Sequence, residues 1–306
     1  MKNLLNYCAI QWYERELENK NIDLEQYLLQ HKLDGVEQYI YNGQLLLKSY
    51  ADISVGVHLA YWPQWLEFWK YNKSNKTIVV KNRHEWIEKI RTNIKAALTQ
   101  KPEYLVWHIA DCSEEETYTF KFKHTDMEVV AAAAEVFNEV VSDIPSNVWI
   151  LFENLCWPGL RLLDKDIIKR FLSLINKKNI GIILDTGHLM NTNPLIRTQT
   201  EAVDYVCRII SELHEESQVI KGLHLSCSLS GEYQQSFNHC LPDNIEKADL
   251  MKHIISLDQH RPFTNKVVQK IFNYVQPEYV VHELIYDNFT DLDNLLKQQF
   301  VSVGNI

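Results

Sequence analysis

The sequence has no GxxxxGKS/T loop and no GxGxxG turn, so nucleotide-cofactor chemistry finds no support in it. Six cysteines (8, 112, 156, 207, 227 and 240) form no CxxC pair. They are too sparse in 306 residues for a disulfide framework, which points to a reducing compartment. No stretch approaches the roughly 18 apolar residues of a membrane span. The opening MKNLLNYCAIQWYERE holds an apolar run too short for a signal peptide and no small-residue cleavage site. A cytoplasmic protein with no membrane partner is therefore expected. Basic residues are also in the minority, 31 against 40 acidic, for a net charge of −9. That balance argues against a general nucleic-acid binder held by a basic face. Bound cations would offset several of the carboxylates.

No linker and no low-complexity segment divides the chain, so residues 1–306 read as one domain, long enough to bury a large core. What is present is alternation. Eight β-branched or aromatic runs occur at roughly 6–12, 35–40, 54–60, 104–110, 148–154, 180–186, 220–226 and 279–284. Amphipathic stretches lie between most of them, at 23–32, 83–99, 127–141, 164–177, 200–217 and 265–274. A helix in the 41–53 gap is doubtful, and one at 290–299 would close the ring. Pro102, Pro145 and Pro277 precede the fourth, fifth and eighth runs, where proline suits a loop entering a strand. The pattern predicts an α/β fold, a (β/α)8 TIM barrel rather than an open doubly wound sheet.

The ionisable residues fall at one end of these runs. His58, His108, Glu153, Asp185, His224 and Glu283 close the third to the eighth, and His188 follows Asp185 by three. In barrels that face carries the active site. Singly, each has an ordinary reading: a satisfied core histidine, or a helix cap for Glu153–Asn154 and Asp185. Together, carboxylates converging from several apolar strands would repel unless cations held them. Imidazole and carboxylate suit Zn, Mn or Fe(II).

These residues resemble those of the xylose isomerase-like barrels, which include the endonuclease IV type of apurinic endonuclease (AP endonuclease family 2). LFENL (151–155), LDTGH (184–188), LHLS (223–226) and Glu283 carry the resemblance. It implies Glu153, Asp185, His224 and Glu283 on one ion, as in sugar isomerases and epimerases. The endonuclease type adds His58 and His108, which with Glu153 would hold a second ion bridged by that glutamate to the first, and His188 with an Asp-x-His pair, which would hold a third. Asp258 and His260 supply that pair here, although 34 residues separate His224 from Asp258. His239, closer to His224, is the competitor. The implied cofactors are two or three divalent ions, with Glu153 and Glu283 as catalytic residues.

The substrate-facing loops depart from both types. AYWPQWLEFWKYN after His58 is aromatic and ADCSEEETYTF after His108 is acidic, so both would repel a phosphate backbone. SCSLSGE after His224 lacks the Arg that epimerases often place there. A small-molecule or modified polymer substrate is expected. Trp62, Trp65 and Trp69, spaced i, i+3, i+7, are either a buried stripe or an aromatic wall; Trp62 and Trp65 are carried as substrate-binding candidates. Arg261, beside His260, is a third, ahead of Arg161 and Arg197. Glu37 could hold a ligating histidine or be a barrel salt bridge. His282 should point away from the interior, and Cys112, Cys156 and Cys227 read as bystanders. Three chemistries follow: hydrolysis of a phosphoester, isomerisation or epimerisation of a sugar or sugar phosphate at a single ion, and oxidation of a peptide at a multinuclear iron site. A non-catalytic binder ranks last.

Overall fold

The computed structural model describes residues 1–40, 50–73, 78 and 80–304. Eight strands close into one parallel barrel in chain order. They are β1 (Lys2–Tyr7), β2 (Gly35–Tyr39), β3 (Ser54–His58), β4 (Tyr104–His108), β5 (Trp149–Glu153), β6 (Ile180–Asp185), β7 (Ile220–His224) and β8 (Tyr279–His282). Seven of the eight expected runs coincide with a strand, though most strands stop a residue or two earlier. The first is corrected. The run at 6–12 straddles two elements, because the strand ends at Tyr7 and helix α1 (Gln11–Lys20) begins four residues later. Trp12, the last residue of that run, is exposed on the helix.

The helices that follow are α2 (Leu24–Gln30), α3 (Trp65–Tyr71), α4 (Arg83–Leu98), α5 (Glu114–Thr119), α6 (Asp126–Val140) and α7 (Lys165–Leu174). Then come α8 (Thr186–Asn191), α9 (Gln199–Glu212), α10 (Gly231–Ser236), α11 (Lys247–Leu257) and α12 (Phe289–Val303). Capping boxes start α5, α6 and α9, each a Ser or Thr paired with a Glu three residues on (Ser113–Glu116, Thr125–Glu128, Thr198–Glu201). The stretch at 265–274 is a 3-10 segment, Lys266–Asn273, rather than an α-helix. The doubtful helix at 41–53 lies largely outside the described residues. Among those described, no helix is long and apolar enough to cross a membrane.

Strand alternation decides what meets inside. Tyr104 and Val106 of β4, Leu151 of β5, Ile183 of β6 and Val281 of β8 pack together in the barrel interior. Two residues further along stand His108, Glu153 and Asp185 at the ends of their strands and Glu283 just past the end of β8, so the next interior layer is polar by register. Gly56 of β3 admits the Tyr104 ring: a Cβ there would lie 2.3 Å from the ring's Cζ. The helices pack around the outside in a cluster that includes Val57, Leu105, Phe152 and Leu184, the outward-facing strand residues.

Candidate metal centre

Glu153 is fully buried and stands at the centre of the polar layer. Its two oxygens face different histidines. Oε2 lies 2.8 Å from His58 Nε2 and 3.0 Å from His108 Nε2. Oε1 lies 3.2 Å from His224 Nδ1 and 3.3 Å from His188 Nδ1.

Three groups of candidate donors result: His58, His108 and Glu153; Glu153, Asp185, His224 and Glu283; and His188, Asp258 and His260. Within each group one donor atom per residue lies within 4.8 Å of the others. The 2.9–3.9 Å separations from His224 Nδ1 within the second group are ones that two bonds of about 2.0–2.2 Å to a shared ion can span.

The second group carries the clearest mark of a missing partner. Glu153 Oε1, Asp185 Oδ2, His224 Nδ1 and Glu283 Oε2 are all buried, and none makes a hydrogen bond among the described residues. Yet His224 Nδ1 is 2.9 Å from Glu283 Oε2 and 3.9 Å from Asp185 Oδ2. One orphaned atom from each of four residues, aimed at a common point, fits a cation and fits a packed core badly. The second polar atoms of Glu153, Asp185 and His224 are engaged. Asp185 Oδ1 accepts from the backbone N–H of His188 at 2.5 Å and caps α8, so the ordinary reading of Asp185 holds alongside the ligand reading. His224 Nε2 faces Glu37, 3.0 Å from Oε1, and Glu37 accepts from the Tyr104 hydroxyl at 2.8 Å. Glu37 therefore fixes the ring that presents Nδ1.

In the other groups, backbone carbonyls set the orientation of three of the four rings, His108 Nδ1 having no hydrogen-bond partner among the described residues. Nδ1 of His58 meets Leu59 O at 2.9 Å, Nδ1 of His188 meets Asn154 O at 2.9 Å, and Nδ1 of His260 meets Glu283 O at 3.2 Å. With Nδ1–H donated, each neutral ring would turn its Nε2 lone pair toward a carboxylate oxygen. For His188 and His260 that oxygen is Asp258 Oδ2, at 2.9 and 2.7 Å. Only a proton or a cation between the two atoms makes such a contact attractive. Ligating histidines are commonly oriented through their second nitrogen in this way.

The electrostatics agree. Burial alone would lower His188, His224 and His260, but the facing carboxylates outweigh it. His188 and His224 are held well above the usual range and His260 rises to about 10. Burial would raise Glu153, yet His108 and His224 hold it well below the usual carboxylate range. Asp185 is pushed up to about 7, chiefly by burial. His108 is lowered by burial. The centre is built to carry positive charge among its carboxylates.

The structure thus brings all nine proposed ligands together. Asp258 and His260 reach the centre at the end of the α10–α11 excursion. His239 does not: it is exposed, its ring 4.8 Å from Phe237 and 5.8 Å from Phe120. Trp62 and Trp65, proposed to touch substrate, are instead buried around Trp86 with Trp69. Trp65 Nε1 donates to Ala110 O at 2.8 Å. The buried-stripe reading accounts for this packing, and Trp62 and Trp65 also line a small cavity with His108. Arg261 is exposed and its backbone pairs with Cys227. Arg161 is held by Asp126, and Arg197 by the carbonyls of Pro194 and Ile196. His282 lies outside the barrel interior, its ring edge-on to Phe300. The cysteines are free.

Sequence reasoning missed Tyr104 and Asn191, whose Nδ2 donates to Asp258 Oδ1 at 3.1 Å. It also missed the tie by which Asn154 Nδ2 donates to Asp185 O while the Asp185 N–H donates to Asn154 Oδ1. The position of Asn154 directly after Glu153 was the available signal.

No family model and no curated protein sequence matches this chain. Solved structures share its fold. Endonuclease IV from Thermus thermophilus aligns over 99% of each chain with a TM-score of 0.52 and 11% identity. A 3-keto-D-glucoside 4-epimerase from E. coli aligns over 97% of each, with 0.50 and 13%. The IolI protein, solved with a bound zinc atom, aligns over 99% of this chain and 98% of its own, with 0.50 and 14%. The fold they share with this chain is the closed parallel (β/α)8 barrel.

Proposed function

We propose that this chain is a metal-dependent hydrolase of a phosphoester, working at two or three divalent ions on a small or modified substrate. The bridging position of Glu153 carries the reading. A carboxylate with one oxygen toward His58 and His108 and the other toward His224 supports a site for more than one ion. A single-ion isomerase would leave the first and third groups without a role. Ions bound there would neutralise phosphoryl oxygens and acidify an attacking water. Glu153 would fix the spacing of the first two groups. Glu283, with 19% of its side chain accessible, is the carboxylate of its group best placed to take a proton from that water. The nitrogen and carboxylate donors suit Zn, Mn or Fe(II). Glu114, Glu115 and Glu116, at the start of α5 beyond β4, disfavour duplex DNA.

The second reading is a sugar epimerase using only Glu153, Asp185, His224 and Glu283, with the two glutamates exchanging a substrate proton. The epimerase among the structural neighbours supports it. The test is turnover of bis(4-nitrophenyl) phosphate by protein loaded with Zn or Mn. Release of 4-nitrophenol that vanishes in Glu153→Gln and falls strongly in His108→Ala supports the hydrolase. No release from any phosphoester, with exchange of a sugar C–H for solvent deuterium, would select the epimerase.

A further inference from the structure

A cavity of about 340 Å³ opens beside the third ligand group. That is within the range of small-molecule sites. Phe120, Phe122, Trp157 and His239 wall it. The Phe120 and Trp157 rings lie 6.2 Å apart at 30°, and Phe122 meets Trp157 at 6.2 Å and 64°. Asn191 and Gln234 add amides to the lining. Asn191 also donates to Asp258, so the cavity lies one side chain from a proposed ligand.

The cavity offers no free charge among the described residues. The one cation in its described lining is Arg161, whose guanidinium grips both oxygens of Asp126 at 2.7–3.1 Å. Gln234 Nε2 is committed to Asn191 O and Ser230 Oγ, both at 3.0 Å, while its amide oxygen takes no donor from the described residues.

The rim is tied down. His253 of α11 stacks on Tyr118 of α5 at 3.7 Å and 7°. Its Nε2 meets Thr117 O at 3.1 Å and its Nδ1 meets the Tyr233 hydroxyl at 2.8 Å. The excursion after β7 is thereby fastened to the loop after β4, and Phe237 carries the aromatic surface from one to the other, 6.0 Å from Phe120.

We propose that this cavity binds an uncharged planar ring, a nucleobase or aryl group, borne by the substrate beyond the scissile ester. The position of the ester rests on the hydrolase reading; the recognition of the ring does not. The aromatic walls supply stacking, which tolerates any planar ring. The amide oxygen of Gln234 accepts from an amino group carried on the ring, such as the exocyclic amine of adenosine, and the lack of a free cation rejects a second anionic group.

The test uses two readouts on the full chain. Adenosine binding is measured by calorimetry for wild type, Trp157→Leu and His239→Ala. Hydrolysis of bis(4-nitrophenyl) phosphate is compared with that of methyl 4-nitrophenyl phosphate. Saturable adenosine binding is expected, weakened about tenfold by loss of the Trp157 ring. The preference for the diaryl over the methyl ester should fall by a similar factor. Should Trp157→Leu fail to fold, the exposed His239→Ala carries the comparison. Adenosine binding without any esterase activity supports the ring site and sinks the hydrolase reading. Esterase activity with no adenosine binding and no aryl preference overturns the ring site and leaves the hydrolase standing. Binding or preference unaltered by both substitutions also overturns it.

Discussion

Raising the pH of the metal-free protein from 7 to 10 strips protons from histidines that face carboxylates, and its stability should fall with them. The His260–Asp258 pair sets the scale. Burial opposes the charge on His260, but Asp258 at 2.7 Å outweighs it and lifts the ring from 6.5 to about 10. A base raised on folding stabilises fully below its unfolded value and loses that contribution as pH climbs through the folded value. At about 1.4 kcal/mol for each tenfold, the pair is worth on the order of 5 kcal/mol at pH 6.5 and little at pH 10. Ions bound at these groups would replace those protons. Metal uptake at pH 7.5 should therefore release protons from His58, His188, His224 and His260, all raised, and the affinity should strengthen with pH. Urea unfolding of chelated wild type and His260→Ala across this range isolates the pair. Calorimetry of metal binding in buffers of different ionisation heat counts the protons. Equal stability at pH 7 and 10, with no proton released, would mean that the rings are neutral without metal and would refute the electrostatic account.

Tyr104→Phe removes the hydroxyl that holds Glu37 against His224, and should weaken the ion of the second group about 10- to 100-fold in a chelator competition. Gly56→Ala should do the same by displacing the Tyr104 ring, with unfolding and metal titration read together. His282 is buried with neither ring nitrogen hydrogen-bonded among the described residues, and burial pulls it down to about 4. Between that value and 6.5 the unfolded chain binds the proton that the folded chain refuses, so acid destabilises. His282→Phe should remove about 3 kcal/mol of that loss at pH 4, seen as a flatter urea midpoint below pH 6.5. Trp65→Phe, losing one bond to Ala110 O, should cost about 1 kcal/mol in thermal unfolding and leave the KM unchanged. A raised KM would return Trp65 to the substrate wall.

The barrel and its polar layer were legible because a strand places alternate residues on one face. His108, Glu153, Asp185 and Glu283 follow apolar interior residues by two, and that period survives errors in strand boundaries. The start of the chain was not legible. Apolar CAIQW continues the strand composition past Tyr7, and nothing local announces that Trp12 stands exposed on a helix. The short helices α5, α8 and α10, of six residues each, span too few turns for a helical period to show. Asp258 and His260 were a matter of residue type, since their approach depends on α10 and α11 folding back to the mouth. The tryptophan stripe stayed ambiguous because helical spacing fixes which residues share a face and not what that face meets. Tyr104 and Asn191 act through other side chains across the barrel, a relation with no spacing in sequence.

The most direct test of the account is the metal content of protein purified without chelator, by elemental analysis, for wild type, His108→Ala and His260→Ala. The three groups around Glu153 predict two to three ions per chain, with one lost in each variant. One ion per chain, untouched by either substitution, would contradict the multinuclear centre and leave only the four residues Glu153, Asp185, His224 and Glu283 as a site.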